Sequence, residues 1–107
     1  MEQVHLYHSI ERARNAAIAW LESRGVVFGP HRKIEIGRLD SSILLGREVG
    51  VAATEGPYWR LRLDYDPHKG PHFNAEYGKG DGREKAAFTF PGTEDLIRKL
   101  AQSRRPR

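Results

Sequence analysis

Arg60 and Arg62 stand two residues apart, and twelve residues further on His72 and Asn74 repeat that spacing. Arginine offers a planar fork of donors that matches phosphate oxygens. Histidine changes charge near neutrality and so suits proton transfer. Asparagine can hold an imidazole in one tautomer or donate to an oxyanion. The four together could grip a phosphodiester and move a proton beside it. Lys79 and Lys85 flank the Gly78–Gly82 loop and would add cationic substrate contacts, with Thr89 further along. His5 and Tyr7, just ahead of the first helix, could complete such a site.

Strand phase is what groups these residues. Side chains in a strand point alternately to opposite faces. In 58–66 the apolar set is Trp59, Leu61, Leu63 and Tyr65, which leaves Arg60, Arg62 and Asp64 opposite. In 72–77 Phe73, Ala75 and Tyr77 leave His72, Asn74 and Glu76; in 85–90 Ala86, Phe88 and Phe90 leave Lys85, Ala87 and Thr89. Consecutive hairpins would collect the second sets on one face. The same pattern also suits the plain outward face of an antiparallel sheet, with Asp64 and Glu76 as partners that neutralise the arginines. Asn74 is unusual there, since asparagine is disfavoured in mid-strand.

The elements that must carry this face read as α, several β, α. Ile10, Ala13, Ala17, Trp20 and Leu21 form one helical stripe over 9–24, with Ser9 as N-cap and Gly25 as the stop. Residues 26–40 are ambiguous: Val26–Phe28 and Ile34–Ile36 look like short extended pieces. Leu44-Leu45 and Val49–Val51 read as a glycine-punctuated strand or hairpin. The three clean strands follow, separated by turn-rich segments at 66–71 and 78–82. Thr93 caps a short final helix whose buried side is expected to hold Leu96, Ile97 and Leu100. This is an α+β domain with an antiparallel sheet. The expected organisation is a single domain over 1–103 and a solvated basic tail, Arg104–Arg107.

Composition removes several classes. With 107 residues the chain can build one core. It has no cysteine, so disulfides, thiolate catalysis, cysteine-based zinc sites and the zinc deaminase signature are out, and the fold is indifferent to redox compartment. No run approaches the ~18 apolar residues of a membrane helix, and the start does not resemble a signal peptide, so no membrane anchor is expected. His68 and His72 are four apart, but Gly70-Pro71 between them prevents a helix that would join them at a metal. No His-Glu-x-x-His, calcium loop or carboxylate nuclease pattern occurs. Gly78-x-Gly80-x-Gly82 precedes no helix and is no nucleotide fingerprint. The reading therefore includes no metal and no cofactor. A net charge of +4 permits a polyanionic partner.

The stretch from Tyr58 to Glu76, with Tyr65-Asp66-Pro67, Gly70 and His72-x-Asn74, resembles the C-terminal domains of bacterial polymorphic toxins. Gly78-Lys79-Gly80 and Phe88-Thr89-Phe90-Pro91-Gly92-Thr93 extend the likeness, as do Ala13-Arg14-Asn15 and Trp20-Leu21-Glu22 upstream. These domains are the effector ends of contact-dependent and Rhs-type secreted proteins. The resemblance implies an antibacterial toxin, secreted as the tail of a larger effector, delivered to the target-cell cytoplasm and blocked by a cognate acidic immunity protein. It also implies a monomeric, metal-independent ribonuclease of the barnase- or RelE-like kind. The fold would be an N-terminal helix packed on a four- or five-stranded antiparallel sheet, with a short C-terminal helix. On this view His72, Asn74, Arg60 and Arg62 are catalytic, and Lys79, Lys85, Thr89, Tyr7 and His5 hold RNA. Rival readings are a toxin acting on DNA, a nucleic-acid-binding module without chemistry, and an interaction protein whose basic face docks an acidic partner.

Overall fold

The computed structural model describes residues 2–29, 32–36 and 48–103. Along the chain these form β1 (Glu2–Leu6), α1 (Ile10–Glu22), β2 (Arg32–Ile36), β3 (Glu48–Ala53), β4 (Trp59–Asp66), β5 (Gly70–Tyr77), β6 (Glu84–Thr89) and α2 (Glu94–Ser103). Helix α1 begins where Ser9, in extended backbone, accepts a hydrogen bond from the Arg12 N–H at 3.2 Å. That satisfies one of the four donors a helix start leaves free. It ends where Gly25 turns left-handed at φ 92°, and the N–H groups of Gly25 and Val26 bond the carbonyls of Glu22 and Leu21. Only a residue without Cβ takes that conformation freely.

Ala13, Ala17 and Leu21 on α1 are fully buried, as are Ala75 and Ala86 on the sheet beneath. Small residues on both sides bring helix and sheet close. Leu21, Trp59, Leu61, Leu63, Phe73, Phe88, Phe90 and Ile97 fill the rest of this core. Each large side chain contributes about 1.5–3 kcal/mol by burial. In α2 the Thr93 hydroxyl accepts from the Leu96 N–H at 3.3 Å. Ile97 is buried and Leu100 packs against the core, whereas Leu96, expected on the buried side, is exposed.

The sheet corrects the expected four- or five-stranded antiparallel arrangement. Among the described residues it has six strands in the order β1-β6-β5-β4-β3-β2, and β1 runs parallel to β6. The other neighbours are antiparallel. β1 escapes a sequence reading because Val4 and Leu6 are 58% and 81% exposed, so it has no buried face for alternation to reveal. Its place is decided by the unpaired N–H and C=O groups along the outer edge of β6. The ladder continues through the Tyr7 N–H to the Thr89 carbonyl at 2.9 Å. At the other side, β3 approaches β4 so closely that a Cβ on Gly50 would lie 1.9 Å from the Leu61 carbonyl oxygen. Val26–Phe28, read as extended, has no regular structure. Leu44-Leu45, His31 and the Arg104–Arg107 tail lie outside the described residues.

Candidate active site

Strand register turns the predicted site residues into rows across the sheet. Arg62 pairs with Asn74, Asp64 with His72 and then Thr89, and Arg60 with Glu76 and then Lys85. All project from the face opposite the helices. This face is more than a wetted surface: His72 is 1% exposed and Glu76 is 6% exposed. Buried polar groups need partners, and here the partners form a chain. The His72 Nδ1 lies 2.7 Å from the Gly70 carbonyl oxygen. A carbonyl only accepts, so Nδ1 carries a hydrogen. The Asn74 amide lies 3.2 Å from the His72 Nε2 and 3.3 Å from Asp64 Oδ2, donating to both. Asp64 also accepts from the Tyr65 N–H and sits 3.8 Å from the Arg62 guanidinium. The result is an imidazole oriented from both sides, two hydrogen bonds from an arginine-paired carboxylate.

The β4–β5 turn builds one wall. Asp66 accepts from the backbone N–H groups of His68 and Lys69 at 2.8 and 2.7 Å, and Gly70 is left-handed at φ 71°. Burial acts to raise the Asp66 pKa. The two backbone bonds, with the positive ends of His72 and Lys69, outweigh it and hold the carboxyl below its ordinary value. Lys69 pairs with Glu2 of β1 at 2.5 Å, so the turn and the parallel strand close over the same hollow. That hollow is about 200 Å³ and is lined by Arg62, Asp64, Asp66, His72 and Asn74 among others.

Glu76 is the hub of the opposite end. Its carboxylate is bound by Arg60 and lies 3.7 Å from Lys85 and 4.0 Å from Arg83. Arg60 also approaches Glu35 of β2 at 3.9 Å. The Nε atoms of Arg60 and Arg62 are buried without a hydrogen-bond partner among the described residues. Beyond Glu76, Lys79 lies over the Tyr58 ring at 5.9 Å.

The structure therefore brings His72, Asn74, Arg62, Arg60 and Lys85 onto one face, with Lys79 at its end. It places His5 and Tyr7 elsewhere. His5 stands beside Phe88 in the parallel register and stacks on its ring at 5.2 Å, on the helix side of the sheet. Tyr7 packs against the same ring. The Thr89 hydroxyl donates to the His5 carbonyl at 3.1 Å and is spent joining β6 to β1. Residues missed in the sequence are Glu2, Lys69, Asp66 and Arg83. The Asp66-x-x-Lys69-Gly70 turn is a legible signal for two of them; Glu2 has none, because only the parallel pairing brings it near. On the far edge, hydrogen bonds from Arg24 hold the Glu84 carboxyl below its ordinary range against the pull of desolvation, with the Arg24 charge adding to the effect.

Among the described residues no cluster of three or more His, Asp or Glu is placed to hold a metal ion. No helix among the described residues is long and apolar enough to cross a membrane. No family model and no curated protein matches this chain.

Proposed function

We propose that this chain is the ribonuclease domain of an antibacterial toxin, cutting RNA without a metal, and that a cognate acidic immunity protein blocks it. What carries the reading is the row Arg62–Asp64–Asn74–His72–Gly70, which fixes the imidazole from both sides and links it through Asn74 and Asp64 to a guanidinium. In this scheme the Asn74 amide gives up Nε2 to the substrate, and Nε2 takes the proton of a ribose 2′-hydroxyl. The 2′-oxygen bonds to phosphorus, the P–O5′ bond breaks, and the 5′-oxygen leaves protonated by water, giving a 2′,3′-cyclic phosphate. Arg62 balances charge on the phosphorane. Arg60 is committed to Glu76 and serves binding rather than this step. RNA lies across the sheet face, with Lys79 and Lys85 as phosphate contacts.

One observation favours a second reading, a nucleic-acid-binding module without chemistry: His72 is almost wholly covered. The two separate cleanly. The purified chain is incubated with total RNA, tRNA and plasmid DNA, with and without EDTA. The ribonuclease reading expects RNA products in EDTA and a loss of about 10²–10⁴-fold in His72→Ala. Salt-dependent binding without product, or cutting by His72→Ala at the wild-type rate, would overturn it.

A further inference from the structure

The hollow at His72 is one end of a longer trough. A second hollow of about 560 Å³ shares Glu2, Lys69 and Lys85 with it, and a third of about 330 Å³ shares Gly80 and Arg83 with the second. The two ends differ in charge. Four carboxylates, Glu2, Asp64, Asp66 and Glu76, line the His72 end against three cations, Arg62, Lys69 and Lys85. The far end has three cations, Arg60, Lys79 and Arg83, against the single carboxylate of Glu76. A polyanion therefore gains more at the far end than over the imidazole.

The far end is also lined by an aromatic ring, that of Tyr58. Tyr58 is half-buried, and Lys79 reaches over its ring from the Gly78–Gly82 turn. The Gly78 N–H bonds the Tyr58 carbonyl at 2.8 Å, so turn and tyrosine are held in register. Lys79 is exposed and has no carboxylate partner among the described ion pairs. A cation beside a π-face, with a second cation from Arg83, is the equipment for one nucleotide: the ring stacks a base and the cations hold its phosphate.

We infer that Tyr58, Lys79 and Arg83 form a nucleotide-binding subsite for single-stranded nucleic acid, separate from the His72 hollow. This rests on the ribonuclease reading only for its purpose, which is to anchor the strand while the neighbouring part lies over His72. Every base has a π-face, so the subsite is tolerant of sequence.

The probe is a fluorescent 2′-O-methyl tetranucleotide, which cannot be cut through its 2′-oxygen, read by anisotropy beside an abasic strand of equal length. Tyr58→Leu keeps apolar bulk but removes the π-face. It is expected to weaken the base-bearing strand about 5- to 150-fold, the range of one lost stacking contact, and the abasic strand by less than about twofold. Tyr58→Phe keeps wild-type affinity. Lys79→Ala and Arg83→Ala weaken both strands and flatten the salt dependence. Circular dichroism confirms that the variants fold. No binding by the wild type, equal loss on both strands, or no loss in Tyr58→Leu overturns the subsite. Cleavage is not read here, so base-dependent binding by a chain that cuts no RNA would sink the ribonuclease reading and leave this one standing.

Discussion

Both faces of the sheet bury side chains, yet different forces hold them. On the helix side, alanines, leucines and aromatics interdigitate beneath α1, and the polar backbone is consumed by the ladder. On the other side His72, Glu76 and Thr89 reach nearly the same degree of burial through hydrogen bonds and ion pairs. Buried apolar surface is non-directional and has no charge for salt to screen. Buried charge is stable only while its partners stay in place. A sheet built this way keeps its shape from one face and leaves the other free to be electrostatically specialised.

The largest effect should come from the apolar side. Leu21→Ala opens a cavity at a fully buried position and should cost about 2–5 kcal/mol in urea unfolding. The loss should be the same at low and high salt, and RNA affinity per folded molecule should not change. Next is Glu76→Ala, which leaves Arg60, Arg83 and Lys85 without their shared counter-charge. About 1–3 kcal/mol should be lost at low salt, and the loss should shrink in 1 M salt (roughly 3 Å Debye length) as the cations are screened. Affinity for a single strand should rise. Equal, salt-independent losses in both variants would mean that the polar face behaves as a second core.

The smallest effect concerns the turn. Asp66→Ala removes the acceptor of two backbone bonds and should cost about 1–2 kcal/mol at neutral pH. Its folded pKa lies below the ordinary 3.8. Stability from this carboxylate is therefore present above that value and lost as pH falls through the lower, folded one. As pH falls well below the folded pKa the variant and the wild type should converge; a gap that persists there would show that the turn does not depend on the ionised carboxylate.

Much of this was legible residue by residue. The Ser9 cap, the Gly25 stop, the α1 stripe and the phases of β4, β5 and β6 follow from local chemistry, because capping and alternation act over a few neighbouring residues. The grouping of Arg60, Arg62, His72, Asn74 and Lys85 followed from those phases once hairpins were assumed. β1 was not legible as a member of the sheet, and β2 was legible only as the short extended piece Ile34–Ile36. β1 exposes its apolar pair, and β2 sits in a stretch where glycine and charge interrupt any period. His5 and Tyr7 were misplaced for the same reason: the face of a strand is unknown until its partner is.

The amino-acid sequence by itself determined the absence of cysteine, the apolar stripe of α1 and the identity of the polar row on β4, β5 and β6. Tertiary structure alone decided that β1 joins β6 in parallel, that Glu2 and Lys69 meet over the hollow, and that His72 is buried rather than displayed. These depend on contacts between residues distant in the chain, where the register of one edge and the competition among charges leave no local trace.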